Sequence, residues 1–408
     1  MSSKIKAAPF FQVEVNGAAY PYYASNLQVI QETDKHTITL LDVLYKGPGA
    51  SRGNTKARSS WSYLKEQTPV RITYGMYPTY TTDLLAYVAS YKVIKTMNDS
   101  IYSGIITTRV QYTLVGVSMN MQSTVNYAWK HISPSAIASK IAVKNGLRAI
   151  VHPYKAVYDC RMQNASDFQF LCELADEIGY RFYVDNTDLY FVDPNLVIQN
   201  PQGNIPQFWA LNTPGVYDTL EDFKPSVGTT TAKNLPATRT TVGISGSGIL
   251  VAASNQYNLY DPFSAEPQAP IISHYDNRYP VDSYAEATQR LQSSALRNQY
   301  WATAEATLRG DTRVRPNHLV EFIGTGVPED DKGVWLVSKA THCLYMPPPA
   351  GNAFSGKYTT EVDVLRNQSY TINYASPNAL SPVTKNIPAK LVNGVWKSSN
   401  VGAQAYAN

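Results

Sequence analysis

Short stretches in which apolar and polar residues alternate dominate this chain, and they begin near its N-terminus. In FFQVEVNGAAY, Phe11, Val13 and Val15 alternate with polar positions and Asn16-Gly17 supplies a hairpin turn, so a strand is predicted there. Residues 36–45, HTITLLDVLY, predict another. The run GPGASRGNTKARSS that follows is rich in Gly, Pro, Ser and Arg and predicts a long protruding loop. Strands resume at Val70–Tyr74, Leu84–Thr96 and Tyr102–Gly116 and complete an antiparallel sheet or small barrel ending near Met121.

The period then changes from two to that of a helix. Ser133 is an N-cap candidate, Pro134 suits the first helical position, and Ile137, Ile141 and Ala142 repeat at helical spacing before Gly146 stops the run. A second helix starts at Ser166 or Asp167. It places Phe168, Leu171, Cys172, Ala175 and Ile178 on one face, with Leu174 beside them, and Gly179 ends it. Tyr180–Val184 and Leu189–Val192 predict a hairpin turning at Asn186-Thr187.

Residues 200–280 carry Pro, Gly, Asn and Thr without a sustained period. A helix is predicted over Asp282–Tyr300, with Tyr284, Ala287, Leu291 and Ala295 on one face, and strands return in HLVEFIG, GVWLVSKATHCLY and YTTEVDVL. These later strands echo the earlier ones. PVRITYG (69–75) parallels HLVEFIG (318–324), YVASYKV (87–93) parallels WLVSKAT (335–341), and TTRVQYTL (107–114) parallels TTEVDVLR (359–366). Each piece alone is the generic alternation of a strand, so chance competes; three pieces in the same order favour an internal duplication. The final ~40 residues, with Pro377, Pro382 and Pro388, read as extended.

The expected fold is therefore α+β and mainly β, with two antiparallel β-barrel domains flanking a small α+β domain. The expected boundaries are 1–121 for the first barrel, 122–200 for the α+β domain, 201–280 for an irregular segment, 281–367 for a helix and second barrel, and 368–408 for an extended tail.

The order of capped helix, "GL", short strand, "SDFxFL" helix, "GY", hairpin and "DP" between His131 and Pro194 resembles the late control protein D family of phage tail hubs, which includes the hub portion of type VI secretion spike proteins. A looser likeness extends over Asp282–Asn367, so that roughly a third of the chain is matched. The resemblance implies a structural, non-enzymatic hub in the virion, at a tail tip or baseplate, assembled in the host cytoplasm. It further implies a homotrimer whose ring continues the tail tube and adapts a six-fold tube to a three-fold tip. Its partners would be a tail tube or distal tail protein, a tape measure protein and separate spike or fibre proteins, with nucleic acid at most transient in the lumen. No β-helical spike repeat or lysozyme-like segment is recognisable.

Composition changes this picture in one respect. Only 16% of the residues are charged, against ~25% in an average soluble domain. Burial of surface against neighbouring subunits explains this; Ser, Thr, Asn and Gln keeping the surface wet explain it too. The 30 tyrosines point to β-structure. A net charge of +4 is too small for a dedicated nucleic-acid footprint. The unopposed Lys46, Arg52, Lys56 and Arg58 of the loop 45–59, like Arg366, Lys385, Lys390 and Lys397 of the tail, read as solvated segments before they read as docking sites. Cys160, Cys172 and Cys343 are too few for a disulfide framework and read as reduced structural residues. No apolar run approaches the ~20 residues of a membrane span, so no membrane anchor is expected.

Candidate chemistry is sparse. His36, His131, His152, His274, His318 and His342 lack metal-ligand spacing, and His342 and Cys343, adjacent in a strand, are expected on opposite faces. Gly243, Gly246 and Gly248 do not match a dinucleotide fingerprint, and no lysine follows as a phosphate loop needs. Ser245 lacks the glycine that completes a nucleophile elbow. Asp176-Glu177, Glu221-Asp222 and Glu329-Asp330-Asp331 are the carboxylate clusters that a tail-associated glycan or peptidoglycan hydrolase would draw on, although adjacent carboxylates more often mark a solvated turn. Arg309-Gly310-Asp311 spells an adhesion tripeptide and reads as a turn between strands. No catalytic, cofactor-binding or metal-binding residue is assigned. A receptor-binding tip is the other alternative.

Overall fold

A computed structural model describes residues 8–48, 63–77, 80–98, 105–155, 157–193, 205–210, 219–227, 239–241, 273–275, 302–347, 356–370 and 389–399. Seven strands come first: β1 (Ala8–Val15), β2 (Ala18–Ala19), β3 (Tyr23–Glu32), β4 (Ile38–Pro48), β5 (Pro69–Tyr77), β6 (Tyr80–Asn98) and β7 (Ile105–Gly116). A 3-10 turn at Val117–Met121 leads into a middle module of β8 (Thr124–Ile132), α1 (Pro134–Lys144), β9 (Arg148–Val151), β10 (Tyr158–Ser166), α2 (Asp167–Ile178), β11 (Arg181–Asp185) and β12 (Asp188–Val192). Next come β13 (Gln207–Trp209), β14 (Leu220–Val227), β15 (Arg239–Thr241), β16 (Ser273–Tyr275), β17 (Ala302–Arg309), β18 (Leu319–Ile323), β19 (Gly333–Tyr345) and β20 (Lys357–Tyr370). A terminal hairpin pairs β21 (Ala389–Val392) with β22 (Val395–Ser398).

The chain is thus mainly β with two α-helices, in line with the pattern of the sequence. Its main ladder has 13 strands and runs β14-β17-β20-β19-β3-β4-β7-β6-β5-β1-β2, with β18 and β13 branching from β19. The path is open. Neither of the two expected barrels is seen to close among the described residues.

Burial explains the strands. In β3, Ser25, Leu27, Val29 and Gln31 are buried while the residues between them are half-exposed, the period-two pattern of a strand with one face on a core. With Leu41, Val43, Val110, Tyr112 and Leu114, Leu27 and Val29 fill the first core. In β17 the inward residues are Ala302, Ala304, Ala306 and Leu308, small side chains that let Trp335 and Phe322 fill the second core. Trp335 is fully buried; its Nε1–H donates to the Asp331 carbonyl at 3.0 Å, and the Arg366 guanidinium lies 4.1 Å over its ring.

The middle module follows its local signals closely. The Ser133 hydroxyl accepts from the Ala136 N–H and the Ser166 hydroxyl from the Gln169 N–H, so both helices begin on capping serines, and Gly179 takes the left-handed conformation with φ of 76°. Asp167 in the first turn of α2 accepts from Lys144 at 2.8 Å and from Asn145 at 2.9 Å, which places a negative charge at one helix start and a positive charge at the other helix end. Ile137, Ile141, Leu171, Leu174, Phe182 and Phe191 make the centre of its core. The buried face of α2 is wider than the predicted stripe: Phe170 is buried and Cys172 only half so.

The tail departs from the extended reading. β20 runs on to Tyr370, and the hairpin of β21 and β22 docks on the first unit and the middle module. Trp396 is buried there, its backbone N–H donating to the Tyr87 hydroxyl at 2.6 Å and its ring lying 5.2 Å from the Arg71 guanidinium, while the Ser398 N–H donates to the Gly146 carbonyl. The predicted helix over residues 282–300 lies outside the described residues, as do the loop after Pro48 and Tail prolines Pro377, Pro382 and Pro388.

Candidate functional site

Two halves of the main ladder share one arrangement. Numbered along the chain, β3, β4, β5, β6 and β7 are ordered β5-β6-β7-β4-β3, and β14, β17, β18, β19 and β20 are ordered β18-β19-β20-β17-β14. In both, the third, fourth and fifth strands form a meander, and the second and first follow on its far side. Every one of these pairings is antiparallel. The central pair carries two register shifts in each half, between Val88/Ser90 and Val93/Lys95 in one and between Val334/Leu336 and Val337/Lys339 in the other. Two chain segments that share order, direction and bulged central pair are two copies of one unit, as the three echoed sequence pieces suggest.

The copies are joined edge to interior. β3, the outer strand of the first unit, pairs antiparallel with β19 of the second from Glu32↔Lys339 to Asn26↔Tyr345. β18 takes only the beginning of β19, up to Leu336, which leaves the rest of that edge for β3. Backbone hydrogen bonds therefore carry the ladder from one unit into the other.

A buried ion pair locks both units to the middle module. Arg315, from the second unit, pairs with Asp185 at the end of β11, donates to the Thr82 hydroxyl of β6 at 2.7 Å, and reaches the Thr312 carbonyl at 3.3 Å. Its side chain is 10% exposed and that of Asp185 12%. Burial opposes the guanidinium's charge, but the charge and hydrogen bond of Asp185, together with Tyr74 and Tyr190, hold the pKa above the ordinary arginine range. Nearby turns add backbone contacts. Asp34 exchanges hydrogen bonds with Phe182, its N–H donating to the Phe182 carbonyl and its carboxylate accepting from the Phe182 N–H, and the Asn186 side chain accepts from the Leu85 N–H at 2.7 Å.

The candidate chemistry resolves into structure. Glu177 is buried and pairs with Arg161 at 2.9 Å and with the Tyr158 hydroxyl at 2.9 Å. Asp222 is exposed beside Lys224, Glu329 pairs with Lys332, and Asp331 lies 3.4 Å from Arg366. Asp311 of the Arg309-Gly310-Asp311 turn is buried, held by Arg313, and a Cβ on Gly310 would sit 2.1 Å from the Tyr358 ring, so only glycine fits. His36 bonds the Ser118 hydroxyl at 2.7 Å and stacks on Phe168; the His152 ring accepts from the Asp193 N–H; both are driven toward the neutral form by burial. His342 is fully buried while Cys343 is half-exposed, on opposite faces as expected. The described residues hold no group of His, Cys, Asp and Glu arranged for a metal. None of the three cysteines is in a disulfide. Ser245 and the glycines 243, 246 and 248 lie outside the described residues, and so do residues 49–59 of the basic loop.

No helix of the described residues is long and apolar enough to cross a membrane. On β6, Tyr91, Val93 and Ile94 are 47%, 45% and 39% exposed in one consecutive stretch.

Solved structures with this arrangement exist. The 43 kDa tail protein of prophage MuSo2 from Shewanella oneidensis matches with a TM-score of 0.56 at 12% identity, over 88% of this chain and 98% of that one. The fold is that of the phage tail proteins the sequence resembles. A tail protein from Neisseria meningitidis MC58 matches equally, with a TM-score of 0.56 at 10% identity over 88% and 97% of the two chains. The E. coli c3393 protein, described as a type VI secretion component similar to T4 tail proteins gp27 and gp5, matches with a TM-score of 0.52 at 11% identity over 90% and 79%. By sequence, no family model and no curated protein matches. The backbone arrangement is shared where the residues are not.

Arg315, Asp185 and the exposed edge of β6 were not picked out from the sequence. Asp185 and Arg315 are 130 residues apart, and no local spacing links them.

Proposed function

We propose that this chain is a structural hub of a phage tail or a related injection machine, acting as a homotrimer that adapts a six-fold tube to a three-fold tip. The observation that carries the proposal is the duplicated unit. A chain with two like units presents six of them in a trimer, each able to fill one position of a ring, so that one face meets six-fold symmetry while the assembly keeps three-fold symmetry. The fold shared with tail proteins and the low charged fraction support the same reading. In the virion, its neighbours on this reading are a tail tube or distal tail protein above, a tape measure protein, and spike or fibre proteins below.

The mass of the purified assembly tests this directly. Three chains per particle are expected, alone or with a tail tube partner; a protein that stays monomeric with its partners present overturns the proposal.

The proposal also assigns no enzyme activity. A glycosidase needs two carboxyl groups facing each other across a substrate cleft, whereas Glu177, Glu329 and Asp331 are each engaged by a cation or a hydroxyl. Assays on peptidoglycan and polysaccharide are expected to show no turnover. Turnover abolished by a single carboxylate substitution would make the hydrolase reading the correct one.

A further inference from the structure

The contact between β3 and β19 is a contact between two copies of one unit, and within a single chain it is made once. Its counterpart is left open at both ends. β14 occupies the place in the second unit that β3 occupies in the first, and it stands at the end of the ladder, paired only with β17 among the described residues. β6 occupies the place of β19. Its pairing with β5 ends at Tyr87, and the bonds of Val88 with Gln67 and Thr68 complete that side. From Ala89 to Asn98 the same edge of β6 has no strand partner among the described residues. The equivalent edge of β19 is the one that β3 covers for seven residue pairs.

The side chains agree with the backbone. Ser90 through Ile94 are all exposed, and they include Tyr91, Val93 and Ile94. Tyr63 stacks on the Tyr91 ring with centroids 4.6 Å apart but leaves Tyr91 about half exposed. An open, apolar strand edge is a site for pairing with another chain.

We infer that β6 beyond Val88 accepts β14 of a second copy of this chain, antiparallel, repeating between chains the junction that β3 and β19 make within one. This inference rests on the trimeric hub reading and specifies its interface. The contact is heterologous: one copy contributes β6, the next β14, and each copy uses both surfaces. Such contacts either close into a ring or run on as a filament. Alternating intrachain and interchain junctions of like geometry close at three chains when each turns the ladder by one sixth of a circle. Pro225 in β14 lacks an N–H, so β14 offers its ladders one backbone donor fewer.

Single-cysteine chains test the assignment. With Cys160, Cys172 and Cys343 all replaced by alanine, one preparation carries Val93→Cys and a second carries Ser226→Cys; they are mixed, co-assembled and treated with a short bismaleimide. Tyr91→Cys serves as an alternative β6 position that covers a shift of register, and each variant is checked for the parent's circular dichroism and denaturation midpoint. A two-chain product is expected from the mixture and none from either preparation alone. A product from the Val93→Cys preparation alone would mean that β6 edges pair with each other, and the inference would be wrong. A confirmed trimer giving no product with either β6 position would also overturn it, while leaving the trimeric reading intact. A wild-type protein that is monomeric with its tail partners present removes the trimeric reading itself, and this interface with it.

Discussion

Replacing Arg315 with methionine is expected to destabilise the folded chain by about 3–5 kcal/mol, the cost of stranding one member of a buried ion pair. The Asp185 carboxyl would be left without its cation in a site that admits little water, beside Tyr74, Tyr183 and Tyr190. Thr82 would lose a donor as well. Asp185→Leu alone should cost a similar amount, because it leaves the guanidinium unpaired. The double variant Arg315→Met with Asp185→Leu should recover most of the loss, since apolar groups of similar volume can replace a buried pair without net penalty. Urea denaturation of the four proteins checks this cycle. If the single variants lose less than about 1 kcal/mol, the pair is screened by solvent like a surface ion pair and does not lock the three modules.

Acid is expected to weaken the fold well before most carboxylates titrate. His342 is fully buried in β19, with its ring bonded to the Thr360 and Tyr358 hydroxyls and to the Val314 carbonyl at 3.1 Å. Burial, reinforced by the nearby Arg315 charge, pushes its pKa down to about 4 from 6.5. Above pH 6.5 the ring is neutral whether the chain is folded or unfolded, so the full stability is present. As the pH falls from 6.5 toward 4, the unfolded chain takes up a proton that the folded chain refuses. Stability is therefore lost across that window, by about 3 kcal/mol for a shift of this size. His36 and His152, also lowered by burial, act in the same sense. Denaturation midpoints measured from pH 7 to pH 4 should fall steadily, and His342→Gln should flatten the slope even if the variant is less stable at pH 7. An unchanged slope in that variant would show that His342 titrates normally.

Local signals were readable where one short segment contains the whole cause. The serine caps of both helices, the left-handed Gly179 and the Asn186 turn each involve residues within a few positions of one another, and the structure places them where the sequence does. β17 has a weak pattern of its own for a specific reason: its inward positions are Ala302, Ala304 and Ala306, and alanine carries high helical propensity and a weak hydrophobic signal. β3 hides differently. Its buried face includes Ser25 and Gln31 beside Leu27 and Val29, so polar residues stand at two of four inward positions. The ribbon of β8 and β10 has few buried residues on either strand and so little pattern to detect.

The duplication lay between these cases. Three echoed pieces of sequence pointed to it, but alternation is shared by all strands and cannot specify pairing. Strand order specifies it, because the permutation of five strands is hard to repeat by accident. The candidate chemistry went the same way. Adjacency of Asp176 and Glu177, or of Arg309, Gly310 and Asp311, says which groups are neighbours along the chain, while burial and the cations that meet them say whether they face a substrate or hold a turn.

From the order of its residues this chain has its helices, their ends, most of its central strands and its mainly β character, since hydrogen bonds and burial within a dozen residues suffice to set them. Which strand lies beside which, that Arg315 meets Asp185, that the tail returns to seat Trp396, and that β6 is left with an open edge are settled by contacts between residues tens to hundreds of positions apart. Those contacts depend on how the cores of two like units and a helical module fit together, and a linear pattern carries no record of that fit.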